Sequence, residues 1–235
     1  MVASARRMSF LLVLMAAGCA GSSAPMMPRV QRPWWTIAHN PDLGELNCVA
    51  RSKDGKSFER WLMPDGRAGM FAEGDQANAR DPVVTVDRTV DPSAQAPSDS
   101  VCWSCYYTAH PNNVGAVYYR TSPDLRRWSG ARIVSRGGMT GRRPGSCECP
   151  FVTFHNGYFY LFRTIRYTEP PTTSVYRSKD PMDFGIDSDD KFVCLLEVTA
   201  PEIIVHDGEW YIAALLPDVQ GIRIARLKWV PDNSA

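Results

Sequence analysis

Along nearly the whole chain, short apolar runs rich in Val, Ile, Tyr, Phe and Thr alternate with clusters of Gly, Pro, Asn and Asp. That is the signature of strands and turns. After the opening apolar stretch, no useful length shows apolar residues at helical spacing. The pattern predicts strands at 35–39, 46–51, 83–87, 103–109, 115–120, 131–135, 151–155, 158–163, 173–177, 193–197, 202–206, 209–215 and 221–227. The fold class expected is all-β, built from antiparallel hairpins.

The strands repeat as a unit. A Ser-x-Asp turn leading to an aromatic residue occurs at Ser52-Lys53-Asp54, Ser122-Pro123-Asp124 and Ser178-Lys179-Asp180. A Gly-led aromatic hairpin occurs at Gly157-Tyr158-Phe159-Tyr160 and again at Gly208-Glu209-Trp210-Tyr211. Four antiparallel strands recurring every ~40–70 residues describe the blades of a β-propeller. A single blade cannot bury both of its faces, so blades stack around an axis and cover one another. The Ser-x-Asp side chains are expected to bond nearby backbone N–H groups and fix a turn. Approximate blades are 33–75, 80–140, 147–190 and 196–230, the first and last incomplete. Residues 88–100 and 136–146 read as inserted loops, the second leading directly to Glu148.

Composition adds bounds rather than chemistry. The chain has 235 residues, 44% hydrophobic and 22% charged, with a formal charge of +1. Such a balance gives no case for a nucleic-acid partner. The start is read as a processing signal: Arg6 and Arg7, then an apolar run from Met8 to Ala17, then small residues before Cys19. Ala16-Ala17-Gly18-Cys19 resembles the bacterial lipobox, in which the cysteine carries lipid; an ordinary secretory signal is the alternative. The organisation expected is a signal over 1–18, a tether over 19–32 and a propeller over 33–230. Export, with membrane contact through the lipid alone and a monomeric state, follows from this reading. Six further cysteines, Cys48, Cys102, Cys105, Cys147, Cys149 and Cys194, then stand as buried thiols, a disulfide between the 102/105 and 147/149 pairs, or less favourably a zinc site. No cofactor or metal is expected.

In a propeller the first strand of each blade lines the central channel, so residues at its start ring the mouth. Asp81 and Glu148 hold such starts on successive blades. Two facing carboxyl groups suit cleavage of a glycosidic bond: one protonates the leaving oxygen while the other acts as nucleophile or base, or tunes its partner. The bland alternative is a pair of carboxylates that only bond turn N–H groups.

Arg80-Asp81-Pro82 and Glu148-Cys149-Pro150 resemble the RDP and ECP motifs of glycoside hydrolase family 32, the β-fructosidase group. That group shares a five-bladed propeller with family 43, which includes arabinosidases and xylosidases. Ser122-Pro123-Asp124-Leu125 running to Trp128 is similar to the S-x-D-L-x-x-W pattern of these families. The resemblance implies hydrolysis of furanose- or pentose-type glycosides, with an oligo- or polysaccharide substrate. It implies Glu148 as general acid/base, Asp81 as its partner on the sugar hydroxyls, and Arg80 as an orienting or substrate-binding residue. Arg163, Arg166, Tyr167 and Glu202 are further candidates at the channel mouth, Arg163 and Glu202 being named as substrate-binding. The family's third carboxylate, on the first strand of the first blade, has no match; Asp42 and Asp75 are the residues nearest to it. Two readings without hydrolysis are therefore carried: a carbohydrate-binding propeller at the cell envelope, and a structural or partner-binding one.

Overall fold

The computed structural model describes residues 12–14, 34–40, 46–74, 78–86, 102–216 and 219–230. Among the described residues, fifteen strands form four antiparallel sheets. The first sheet is β1 (Leu12–Leu14), β2 (Trp34–Asn40), β3 (Leu46–Ser52) and β4 (Glu59–Trp61). The second is β5 (Arg80–Val86), β6 (Trp103–Ala109), β7 (Ala116–Ser122) and β8 (Arg132–Ser135). The third is β9 (Glu148–His155), β10 (Tyr158–Arg166), β11 (Thr172–Ser178) and β12 (Phe192–Leu196). The fourth has three strands, β13 (Thr199–His206), β14 (Glu209–Leu215) and β15 (Ile222–Arg226). Each sheet meanders from first strand to last, and the sheets are the blades of an all-β propeller.

The repeat seen in the sequence is this blade. Its turns work as the residue types dictate. Ser52, Ser122 and Ser178 each accept the N–H of the Asp two residues on, at 3.2, 3.2 and 3.1 Å. Asp54 and Asp124 then each accept two further N–H groups, and Asp180 accepts that of Met182. The hairpins at Asn156-Gly157 and Asp207-Gly208 place both central residues at positive φ, the two-residue turn that matches strand twist.

Each later blade also begins with one device. Asp81, Cys149 and Ala200 take φ of 52°, 44° and 44°, immediately before Pro82, Pro150 and Pro201. Left-handed backbone is uncommon outside glycine. Here it coincides with an irregular register between the first and second strands of all three blades. The bulge explains why these strands start at residues 80, 148 and 199, about three residues before the apolar runs that predict them. It also puts Arg80, Glu148 and Thr199 in equivalent places, not Asp81 and Glu148.

The core lies between blades. One cluster, with Val49, Phe71, Val84, Tyr107 and Leu125, joins the first blade to the second. Another, with Val83, Tyr106, Val134, Leu161 and Phe184, joins the second to the third. A third, with Phe162, Val175, Ile203, Trp210 and Trp229, joins the third to the fourth. A buried polar knot reinforces the first junction. Arg120 donates to Glu73 Oε1 at 2.6 Å and to the Tyr107 hydroxyl at 2.8 Å, while Tyr107 donates to the same Glu73 oxygen at 2.6 Å.

Three expectations meet the structure here. Leu12–Leu14, inside the segment expected as a signal, pairs with Trp35–Ile37 of β2, while Cys19, Asp42 and Asp75 lie outside the described residues. Among the described residues no helix is long and apolar enough to cross a membrane. The six cysteines from Cys48 to Cys194 are free thiols, and among the described residues no three His, Cys, Asp or Glu side chains gather as a metal site.

Candidate active site

First strands run away from the channel mouth and second strands run back, so the mouth collects the starts of β5 and β9 and the ends of β6 and β10. Arg80 and Asp81 come from β5, His110 follows β6, Glu148 and Cys149 open β9, and Tyr167 follows β10. The structure brings these six side chains together.

Arg80 donates from Nη2 to Glu148 Oε1, with 16% of its side chain exposed and 21% of that of Glu148. Asp81 Oδ2 accepts the backbone N–H of Cys149, at 3.1 Å. Asp81 therefore touches the residue next to Glu148, which couples two blades and sets the carboxylates side by side. The Tyr167 hydroxyl stands 3.0 Å from Cys149 Sγ, beside the Glu148 carboxyl. Asn78 fixes His110 from behind. Its Oδ1 accepts the His110 N–H at 3.1 Å, and its Nδ2 lies 3.2 Å from Nε2.

The electrostatics follow from burial first. Desolvation lifts the Glu148 carboxyl above the ordinary glutamate range, and the Asp81 charge lifts it further. Arg80, Tyr167 and His110 pull it down, yet the net direction is up. Burial likewise lifts the Tyr167 hydroxyl and the Cys149 thiol well above their ordinary values, with Asp81 and Glu148 adding to both shifts, so both stay protonated. A carboxyl whose pKa is raised, beside a second carboxylate and gripped by an arginine, is better suited to hand over a proton than an exposed glutamate.

Two expected site residues lie elsewhere. Arg163 is corrected: it is 0% exposed, and its guanidinium bonds Ser135, Gly137, Thr140 and Tyr176. Its place in mid-strand β10 turns it into the blade junction rather than toward substrate. Glu202 is also corrected. It follows Pro201, and its neighbour Ile203 packs against the third blade, so Glu202 projects from the opposite face. Arg166 bonds Thr172 at 3.0 Å. Asn78 and His110 were missed, because nothing in their spacing marks them; only strand direction brings the end of β6 to the mouth.

No family model and no curated sequence matches this chain. Solved structures do. A thermostable family-43 glycoside hydrolase aligns with a TM-score of 0.60 at 17% identity, over 84% of this chain and 69% of that one. An α-L-arabinofuranosidase of Clostridium thermocellum aligns at 0.54 and 16% identity, over 86% of this chain and 67% of that one. The Bombyx mori family-32 β-fructofuranosidase aligns at 0.51 and 20% identity, over 77% of this chain. This chain spans only 40% of that enzyme's length. The protein thus shares the β-propeller fold of family-43 and family-32 glycoside hydrolases.

Proposed function

We propose that the protein is a glycoside hydrolase acting on furanose- or pentose-type sugars, with Glu148 as the proton donor. The observation that carries this is the Glu148 carboxyl: largely buried, gripped by Arg80, beside Asp81, and raised in pKa. In the reaction Glu148 gives its proton to the glycosidic oxygen as the C–O bond breaks and positive charge builds on the sugar ring; water then bonds to that carbon and loses its proton, which restores the Glu148 carboxyl. Asp81, with one oxygen committed to Cys149, offers the other to a sugar hydroxyl and favours the developing charge. Arg80 holds the Glu148 carboxyl in place. The arabinofuranosidase and fructofuranosidase of the same fold support the sugar class.

One observation favours binding without turnover as the second reading. In the first blade the place of the inner strand is held by Leu12–Leu14, and no Asp or Glu precedes Asp42 in the sequence. The third carboxylate of the related chemistry thus has no source on that strand. Incubation with a panel of arabinosides, xylosides and fructosides separates the two. Release of reducing sugar above background supports hydrolysis; saturable binding without release supports the binding module; neither result sinks both. Export, with lipid on Cys19, belongs to the same proposal, and cleavage before Cys19 would remove Leu12–Leu14 from the first blade. Labelled fatty acid should enter the expressed protein and be lost in Cys19→Ser.

The Asp81 charge gives a pH prediction. A general acid works while protonated, so activity falls as pH rises through its pKa. Asp81 raises that pKa. Asp81→Asn keeps an acceptor for the Cys149 N–H but removes the charge. The basic limb of its pH–rate profile is expected to move to lower pH; an unmoved limb would show that Asp81 does not tune the acid.

A further inference from the structure

We propose that Arg163 is the positioning residue for Glu148, acting through the loop 136–146 that delivers Glu148 to the channel mouth. The proposal rests on the reading of Glu148 as the acid. Arg163 sits on β10 beside Thr164, which pairs directly with Glu148 across the β9–β10 ladder. Its guanidinium reaches the loop from beneath. It donates to Ser135 Oγ at 2.9 Å, at the end of β8, and to the Gly137 carbonyl at 3.0 Å. It also donates to Thr140 Oγ1 and to the Tyr176 hydroxyl, the latter at 2.9 Å, while stacking over the Tyr176 ring at 4.7 Å. One buried side chain thus ties the strand before the loop, the loop's first turn and the blade that carries Glu148.

The loop needs such a tie. It contains Gly137, Gly138, Gly141 and Gly145, and the first three take φ of 66°, 67° and 75°. A chain with this glycine content has much freedom to lose on ordering. Backbone bonds tie Arg136 to Gly185 and Asp187, and Arg142 to Gly115, while the loop's other side-chain anchors are more exposed. Asp187 pairs with Arg136 and Arg142 at 2.7 and 2.8 Å, and Asp189 accepts the Met139 N–H. Surface pairs of that kind contribute little. Ser146 bonds the loop to itself, at the Gly141 and Arg143 carbonyls. Among the side chains described against the loop, Arg163 combines full burial with a fixed fork of donors. Loosening it would let the segment before Glu148 drift, and a shift of about 1 Å in a catalytic group can cost ~10²-fold in rate.

The test uses Thr140→Val, which removes one loop partner and leaves Arg163 intact, alongside Arg163→Lys. Two readouts are taken at temperatures where both are folded by circular dichroism. The first is kcat and KM on a glycoside the wild type cleaves. The second is the titration midpoint of the Glu148 carboxyl by 13C NMR, which needs no substrate. The expected result is a kcat lower by about 10–100-fold in Arg163→Lys and by a smaller factor in Thr140→Val, with KM within about twofold. The Glu148 midpoint should fall toward the ordinary glutamate value as water reaches the loosened site. A wild-type midpoint in Thr140→Val overturns the proposal, even if Arg163→Lys fails to fold. Full turnover by Glu148→Gln would instead remove the parent reading, and the midpoint would still decide the role of Arg163.

Discussion

Replacing Glu148 with glutamine is expected to lower turnover by about 10²–10⁴-fold on any glycoside the protein cleaves, with a smaller effect on binding. Glutamine keeps the size and an acceptor oxygen for Arg80, but it has no proton to give. Leaving groups that need no protonation should lose least, so the deficit should grow with the basicity of the leaving alcohol. Measured kcat values across activated aryl glycosides and natural oligosaccharides check both statements. Equal turnover by wild type and variant on every substrate would end the assignment of Glu148. The same variant should be more heat-stable than wild type near neutral pH. The carboxyl pKa is higher in the folded chain than in the unfolded one, so its contribution to stability is complete below the ordinary glutamate value. That contribution is lost as pH rises through the folded value. Glutamine escapes the loss, and the gap in Tm should close as the pH is lowered into the carboxylate range.

The largest effect on stability is expected at Glu73, whose backbone pairs with Asn78 and whose side chain lies in the junction of the first two blades. Glu73 and Arg120 are 13% and 14% exposed, and Glu73 Oε1 takes hydrogen bonds from both Arg120 and Tyr107. Removing the carboxylate leaves a guanidinium and a phenol in a blade junction without their shared acceptor. Losing one partner of a buried pair costs roughly 3–5 kcal/mol. At roughly 2–4 °C per kcal/mol for a chain of this size, Glu73→Ala should lower Tm by about 6–20 °C. Arg120 would keep its bond to the Ser129 carbonyl and its place 4.9 Å over the Phe71 ring. Those contacts hold the side chain without neutralising it. Glu73→Gln retains an acceptor and should cost less. Thermal melts of the two variants check the order; a Tm for Glu73→Ala within a degree or two of wild type would contradict it.

Much of the fold was legible because each blade repeats a local recipe. Period-two apolar runs, Asn-Gly and Asp-Gly turns and Ser-x-Asp loops depend on neighbours in sequence, so their residues announce them. The bulge at Asp81, Cys149 and Ala200 was not legible, since proline and a polar residue do not reveal a left-handed backbone. That bulge decides which side chains are equivalent from blade to blade, and it pairs Glu148 with Arg80 rather than with Asp81. Asp81 reaches the site from the adjacent position by bonding Cys149. Arg163 misled for a related reason. An arginine at the end of an apolar run reads as a channel-mouth residue, while only the three-dimensional fold brings it Ser135, Tyr176 and, from loop 136–146, Gly137 and Thr140. His110 and Asn78 carry no local signal, because they meet through strands that are far apart in sequence.

The account turns on whether Glu148 is held as a proton donor, and its ionisation can be read directly. In protein carrying 13C-labelled glutamate side chains, the Glu148 resonance is assigned by its absence in Glu148→Gln and followed as pH is raised. The account predicts a midpoint clearly above that of an exposed glutamate, dropping when Asp81 becomes asparagine. A midpoint at or below the exposed value would contradict it, because a carboxylate already ionised against Arg80 has no proton to transfer.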